Sequence, residues 1–360
     1  MMGKFEDLPA EIIYDIFDYF SMNDIFEIFF YLNNHYKNLV LNSRSNVQLD
    51  FSNLSKSKFD DCCKYLIEHK QIEINSLSFS NPLIVDDFLN RFSFNKSFNR
   101  LETLVFSQIN FSIVEPILRT LSNLPCLYSL TIKNNIEVCD SSEIYRLIFN
   151  LPVLKICRIN PKFYGGSILL KSAENVRSSI EELSIHRHCS LKQLLIFLSY
   201  TPNLRRLSHL SISETTTNTN LNSFQIKSSQ LTDVSLKFWQ MSFETLKFLT
   251  VKLFANLEKL NICTRADDYY LIAERWEQLI VENLPNLRRF EFEHYWEPVD
   301  NSETEQNTYH RWIDRFTTSF WTDRQWFFAH QHFSRRGVRD SVFYSTNPYR
   351  YDSYFRFFFK

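Results

Sequence analysis

The chain has 360 residues and a formal net charge of −1, from 40 Lys and Arg against 41 Asp and Glu. This balance gives no overall electrostatic attraction to nucleic acid, so we expect no nucleic-acid partner. The sequence has only 4 Gly and therefore contains no Gly-rich loop of the kind that binds phosphates. This excludes the P-loop and the dinucleotide-binding fingerprint. The length suffices for two domains or for one array of repeats.

Cysteine usage and hydropathy limit the cellular environments in which the protein is expected. The 7 Cys residues are scattered and form no C-x-x-C motif, so we expect reduced thiols in a protein of the cytoplasm or the nucleus. The N-terminus is acidic, unlike a secretory signal, and no stretch is long and apolar enough to cross a bilayer. We therefore expect no membrane partner.

Residues 1–45 have the pattern of three short helices. Pro9 suits a first helical turn, because the N–H that proline lacks would have no partner there. Ser21 and Asp24 form a capping box before a second apolar run, and residues 36–41 predict a third helix. Along the first helix, apolar side chains recur at helical spacing, at Ile12, Ile13, Ile16, Phe17 and Phe20. Because so small a unit buries little, this stripe either packs on the rest of the chain or binds another protein.

The same residues resemble the F-box, a motif that opens with Leu-Pro and continues through paired apolar residues into an Asp-led second helix. The matching positions are Leu8-Pro9, Glu11, Ile12-Ile13, Ile16-Phe17, Tyr19-Phe20 and Asp24-Ile25. The resemblance implies docking to a Skp-type adaptor on a cullin ubiquitin-ligase scaffold. The residues that it assigns to adaptor binding are Leu8, Pro9, Ile12, Ile13, Ile16, Phe17 and Phe20.

A second interpretation assigns these helices a structural role only. In that case they cap the following domain of a protein-interaction scaffold without recruiting a ligase. This alternative predicts that Ile12 and Phe17 are buried against Leu49, Phe51 and Leu54.

Residues 46–293 repeat a short apolar pattern at a nearly constant spacing. The central apolar positions are Leu77, Leu104, Leu130, Cys157, Leu183, Val234, Leu260 and Phe290, with one more copy at either Leu207 or Leu210. Helical segments are predicted between them, at 113–121, 144–151, 191–200, 243–254 and 269–284. The spacing of most copies is typical of leucine-rich repeats, whose strand–helix units stack because none buries its apolar side alone. An ordinary α/β domain remains the alternative.

An F-box followed by such repeats resembles the leucine-rich-repeat class of F-box proteins. The expected fold is an α/β leucine-rich-repeat solenoid, preceded by a three-helix F-box (1–45) and closed by an aromatic-rich cap (294–360). The expected function is that of a non-catalytic substrate-recognition subunit of an SCF-type ubiquitin ligase, with no cofactor. The polar segment 213–229 predicts a loop.

Side chains that flank the buried positions of each strand should line the inner face of the repeats. We expect a protein target to bind there, at Lys133, Arg158, His186, Lys237, Trp239 and Glu291. A face that is merely solvated is the alternative.

Residues 294–360 leave the repeat period and are rich in aromatic and Arg side chains. Five of the 6 Trp lie after residue 270. We expect a cap in which Arg side chains stack on aromatic rings. Two alternatives are a single-stranded nucleic-acid site, which would make the protein an RNA-binding solenoid, and a tail that grips a ligand.

No motif predicts catalysis or a metal site. The segment from His186 to Cys189 and the pair His330 and His332 read as surface histidines, because further ligands at metal-binding spacing are absent from the sequence around them. The vicinal Cys62 and Cys63 predict one buried and one exposed thiol.

Overall fold

The computed structural model describes residues 5, 8–43, 47–52, 54–68, 73–134, 142–161, 170, 178–213, 230–265, 267–296, 303–335 and 338–346. The chain divides into two compact units. The N-terminal unit comprises Met1–Leu169 with Ser178–Ile180, and the C-terminal unit comprises Leu170–Arg177 with Glu181–Lys360. Both are mixed α/β, and most of their strands are parallel. Residues 214–229 of the loop predicted at 213–229 lie outside the described residues, as does the segment 347–360.

The N-terminal unit has three helices and then alternates strands with helices. Its helices are α1 (Ala10–Phe17), α2 (Met22–Phe29), α3 (Asn34–Asn42), α4 (Lys56–Cys62), α5 (Pro82–Arg91), α6 (Phe111–Leu121) and α7 (Ser142–Phe149). Its strands are β1 (Val47–Asp50), β2 (Ile74–Phe79), β3 (Thr103–Ser107), β4 (Ser129–Asn134) and β5 (Ile156–Pro161), which pair in parallel in chain order.

The cap predicted at Ser21 is present, and Asn33 provides a second cap that was not predicted from the sequence. The Ser21 hydroxyl accepts the backbone N–H of Asp24 at 3.2 Å and starts α2. The Asn33 side chain accepts the N–H of Tyr36 at 3.1 Å and starts α3. The three predicted helices are confirmed. The two caps satisfy backbone donors that α2 and α3 leave unpaired at their first turns, whereas α1, which follows Pro9, has no side-chain cap.

The apolar positions of the repeat pair strand to strand in the N-terminal unit. Leu77 lies opposite Leu104, Leu104 opposite Leu130, and Leu130 opposite Cys157, and all four side chains are fully buried. The strand β1 adds one parallel strand before them, with Leu49 opposite Leu77. Each strand therefore buries the same face, as its alternation of apolar residues predicts.

The C-terminal unit continues the alternation and then reverses direction. Its helices are α8 (Leu191–Tyr200), α9 (Phe243–Leu253), α10 (Ala273–Asn283), α11 (Glu303–Ile313) and α12 (Ser319–Asp323). Its strands are β6 (Glu182–Ser190), β7 (Arg206–Ser213), β8 (Asp233–Trp239), β9 (Lys259–Arg265), β10 (Arg289–Trp296), β11 (Phe328–Arg335) and β12 (Val338–Ser345). The strands β6 to β10 are parallel, and the hairpin of β11 and β12 pairs antiparallel with β10 through β12.

A bulge in β7 explains why the sequence allows two central apolar positions, Leu207 and Leu210, for this copy of the repeat. Leu207 pairs with Val234, whereas Leu210 pairs with Leu236, so His209 is an extra residue between the two registers. Its φ of 66° is the left-handed conformation, which His tolerates better than most residues other than Gly. Both alignments are thus correct, one on each side of the bulge.

Three aromatic residues that follow β10 pack around the ring of Phe290. Trp321 and Trp326 lie 5.9 and 5.7 Å from that ring, and Phe328 lies 6.3 Å from it. The Arg324 guanidinium lies 3.9 Å from the ring centre of Phe320. Aromatic packing with Arg over ring faces is what the composition predicts for this segment.

One expectation about cysteine is wrong. Cys62 and Cys63 are both buried, because α4 passes into a π-helical turn at Cys63–Ile67 that directs both thiols inward. Burial raises the pKa of each thiol to about 12. Among the described residues, no helix has the length and apolar character that a membrane span requires.

Candidate binding surfaces

The predicted adaptor-binding stripe divides into a buried part and an accessible part. Ile13 and Phe17 are buried, and the Phe17 ring lies 5.0 Å from that of Phe29 on α2. The other five residues form what we call the N-terminal apolar surface: Leu8 and Ile16 are half-buried, and Pro9, Ile12 and Phe20 are exposed. Ile12 keeps 44% of its surface and Phe20 keeps 43%. Only one side of the stripe is therefore used by the packing of the three helices.

The helix α2 contacts the first strand, β1. The Asn23 side-chain amide donates to the backbone O of Asp50 at 2.5 Å, and its oxygen accepts the Asp50 N–H at 2.9 Å. The structural-cap alternative is therefore wrong about Ile12, which is exposed. It is right that Phe17 is buried, and the ring of Phe17 packs beside that of Phe29 on α2.

Exposed apolar side chains concentrate in the same region. Among the described residues, 13 large apolar side chains are exposed, and 7 of them lie between Phe5 and Leu32. These seven are Phe5, Ile12, Tyr19, Phe20, Ile28, Tyr31 and Leu32. Single exposed apolar residues are ordinary, whereas such a concentration typically marks a contact surface.

Two predicted target-binding residues lie on neighbouring strands of the N-terminal unit. Lys133 on β4 pairs with Asn160, and Arg158 on β5 pairs with Thr131. Because alternate strand positions share a face, the side chains of these two exposed cations lie on the same face of the sheet. They are offset by two residues along the strand direction. They form a small basic area.

In the C-terminal unit, the register places polar side chains in two adjacent rows across β8, β9 and β10, which we call the polar rows. Their members are Lys237, Cys263 and Glu293 in one row and Trp239, Arg265 and Tyr295 in the other. The Arg265 guanidinium lies 5.2 Å from the Trp239 ring centre, and the Tyr295 hydroxyl donates to Glu293 at 2.6 Å. These contacts hold the side chains in place.

The electrostatics of the polar rows depend on Glu293. Burial raises the pKa of its carboxyl, and the hydrogen bond from Tyr295 and the charge of Lys237 counteract this rise. The Cys263 thiol is also hydrogen-bonded to Glu293, and burial raises its pKa. Lys237 is thus a half-buried cation beside a half-buried acid, an arrangement suited to polar recognition.

The two remaining predicted residues are engaged within the unit. The His186 ring stacks on His209 at 4.0 Å, and burial lowers its pKa to about 4. The Glu291 carboxylate accepts hydrogen bonds from Asn261 at 2.9 Å and from Arg289 at 2.5 Å. His186 is therefore neutral at pH 7, and Glu291 is already partly neutralised.

Four members of the polar rows are not among the six residues that the sequence predicts to bind a target: Cys263, Arg265, Glu293 and Tyr295. The repeat spacing could have identified them, because a regular register places corresponding positions of successive repeats side by side on neighbouring strands. The central apolar positions already define that register, since those of β8 and β9 pair with each other, as do those of β9 and β10.

Three histidines of the C-terminal unit converge on one point. His310 on α11 and His330 and His332 on β11 each offer a ligand atom, and these atoms lie within 4.8 Å of one another. Burial and the two neighbouring imidazoles lower the pKa of His330, which favours its neutral form. The sequence predicted surface histidines at 330 and 332, and both are exposed, but it did not join them to His310.

No protein-family model matches the chain. No curated protein is significantly similar to it.

Proposed function

We propose that the protein is a substrate-recognition subunit of an SCF-type cullin ubiquitin ligase. The N-terminal helices act as an F-box, and the strand–helix repeats act as leucine-rich repeats that bind a protein target. The observation that carries the proposal is the concentration of exposed apolar side chains between Phe5 and Leu32.

The repeat architecture supports the second half of the proposal. In each unit, parallel strands pair at corresponding positions and alternate with helices, as in a leucine-rich-repeat solenoid. The apolar residues of each strand are buried, which leaves the alternate polar positions for recognition. We assign target binding to the polar rows and to the basic area at Lys133 and Arg158.

The adaptor-binding role can be tested at two exposed positions. In the double variant Ile12→Asp with Phe20→Asp, two charges replace apolar contacts while Ile13 and Phe17 keep the helices packed. We expect binding of a recombinant Skp-type adaptor to weaken at least ~30-fold, the loss that corresponds to removing one interface hot spot. Calorimetric titration of the purified full chain measures this change.

The matched control is Leu83→Asp, which places the same charge on a residue of α5 that is 76% exposed. The control should bind the adaptor like the wild type, and circular dichroism should be the same for all three proteins. The double change Leu8→Ala with Pro9→Ala should also abolish adaptor binding. Wild-type affinity in the Ile12 and Phe20 double variant would refute the ligase assignment and favour the scaffold.

A further inference from the structure

Three imidazoles meet where the last helices of the C-terminal unit contact the β11–β12 hairpin. The ring centres of His310 and His330 are 5.0 Å apart, and both lie 5.3 Å from that of His332. The three ligand atoms lie within 4.8 Å of one another. Because the three ring-centre separations are nearly equal, a single ion could contact all three imidazoles.

The spacing suits a small transition-metal cation. Zn²⁺ binds imidazole nitrogen at about 2.0–2.1 Å in a tetrahedron, which places ligand nitrogens about 3.4 Å apart. Closing the gap from the present separation takes small side-chain rotations. His330, whose side chain is exposed to solvent, can make such a rotation while the ring of His332 stays in place.

The neighbouring residues are arranged as the outer partners of a metal site commonly are. The Nδ1 atom of His332 is hydrogen-bonded to the hydroxyl of Ser341, which lies opposite on β12 and is buried. This bond fixes the ring through Nδ1, so coordination would use Nε2. The ring of Tyr309 packs against His330 and His332 at 6.1 and 5.8 Å, and the negative charge of Asp314 acts on His330.

We propose that His310, His330 and His332 form a Zn²⁺ site with three protein ligands and a water molecule in the fourth position. His330 and His332 occupy alternate positions of one strand and so lie on the same face, and His310 approaches from α11. The ion would link that helix to the hairpin. Its role would be to stabilise the end of the C-terminal unit, independently of adaptor or target binding.

The test is calorimetric titration of the chelator-treated full chain with ZnCl₂, with thermal unfolding measured in parallel. We expect one equivalent to bind and the unfolding temperature of the wild type to rise with Zn²⁺. His310→Gln and His332→Gln should each weaken binding at least tenfold. Co²⁺ in place of Zn²⁺ should give the visible absorption bands of a tetrahedral site in the wild type only.

The matched control is His35→Gln, which removes an exposed histidine of the N-terminal unit. It should bind one equivalent with wild-type affinity. Binding that His310→Gln leaves unchanged would overturn the proposal, as would a wild-type protein that binds no more tightly than the two variants. Circular dichroism of the metal-free variants separates loss of a ligand from loss of the fold.

Discussion

At the scale of single residues, the clearest constraint is a histidine in the core. His294 is fully buried, and its Nδ1 lies 2.7 Å from the Thr264 hydroxyl on the adjacent strand. Burial lowers its pKa to about 3, because the charged imidazolium would lose its hydration without an opposite charge nearby. The folded protein therefore keeps this side chain neutral.

This residue makes stability depend on pH in a defined direction. The unfolded chain binds a proton at His294 near pH 6.5 and the folded chain does not, so folding is weakened as the pH falls from 6.5 towards 3. Between pH 7 and pH 5, we expect His294 alone to lower the free energy of unfolding by about 2 kcal/mol. His186, whose pKa is lowered to about 4, acts in the same direction.

Urea unfolding followed by tryptophan fluorescence measures this pH dependence of stability. The signal reports on the C-terminal unit, which contains His294, because all 6 Trp belong to that unit. The variant His294→Gln should reduce the dependence of stability on pH across that range. His35→Gln, which changes an exposed histidine, should leave it unaltered. An unchanged pH dependence in His294→Gln would show that the buried imidazole is not its source.

At the scale of elements, two turns between strand and helix share one conformation. Gln108 follows β3 and Gln240 follows β8, both with positive φ, at 61° and 54°. In each case a buried apolar residue, a polar residue and a buried Phe follow, and that Phe begins the next helix. The left-handed residue reverses the chain without a glycine, which is consistent with the scarcity of Gly in the sequence.

The bulge at His209 gives an element-scale prediction. His209→Val should destabilise the C-terminal unit more than His209→Asn by about 1–2 kcal/mol, because a β-branched residue tolerates positive φ poorly and Asn tolerates it well. Both variants lose the ring contact with His186, and Val also lacks a hydrogen-bonding group for Ser184 and Ser208, which adds to the expected difference. Chemical denaturation followed by Trp fluorescence provides the measurement, and equal stabilities would contradict the strain argument.

At the scale of the whole molecule, the N-terminal apolar surface and the polar rows belong to different units, whereas the basic area at Lys133 and Arg158 shares the N-terminal unit with the apolar surface. The N-terminal apolar surface lies on α1 and its flanks, and the polar rows lie on β8 to β10. Each can therefore be changed without altering the packing of the other, and the two activities should separate by mutation.

We expect Lys237→Glu to abolish target capture while adaptor binding is retained, because it reverses the charge beside Glu293. Lys252→Glu, on the exposed side of α9, is the control and should capture the same proteins as the wild type. Affinity purification with quantitative mass spectrometry compares the three. An identical set of partners for all three would remove the polar rows as the target site.

The strands and most helices were predictable from the sequence, because apolar residues that recur at a constant spacing indicate which face of each element is buried. Leu191–Tyr200 was predicted to the residue, and the predicted central positions, such as Leu104 and Leu260, all lie in strands. The division between Ile12 and Ile13 was not predictable, since the apolar stripe is wider than the face that α2 covers. The meeting of His310 with His330 depends on tertiary packing, which leaves no periodic signal.

The reversed hairpin at the end of the sheet sets a limit on how such a chain can lengthen. A parallel edge at β10 would accept one more strand–helix copy, but β12 occupies that edge in the antiparallel sense. Gene duplication could therefore insert copies upstream, where each joins the ladder in the same orientation. A copy added downstream of β10 would first have to displace the hairpin together with its aromatic contacts.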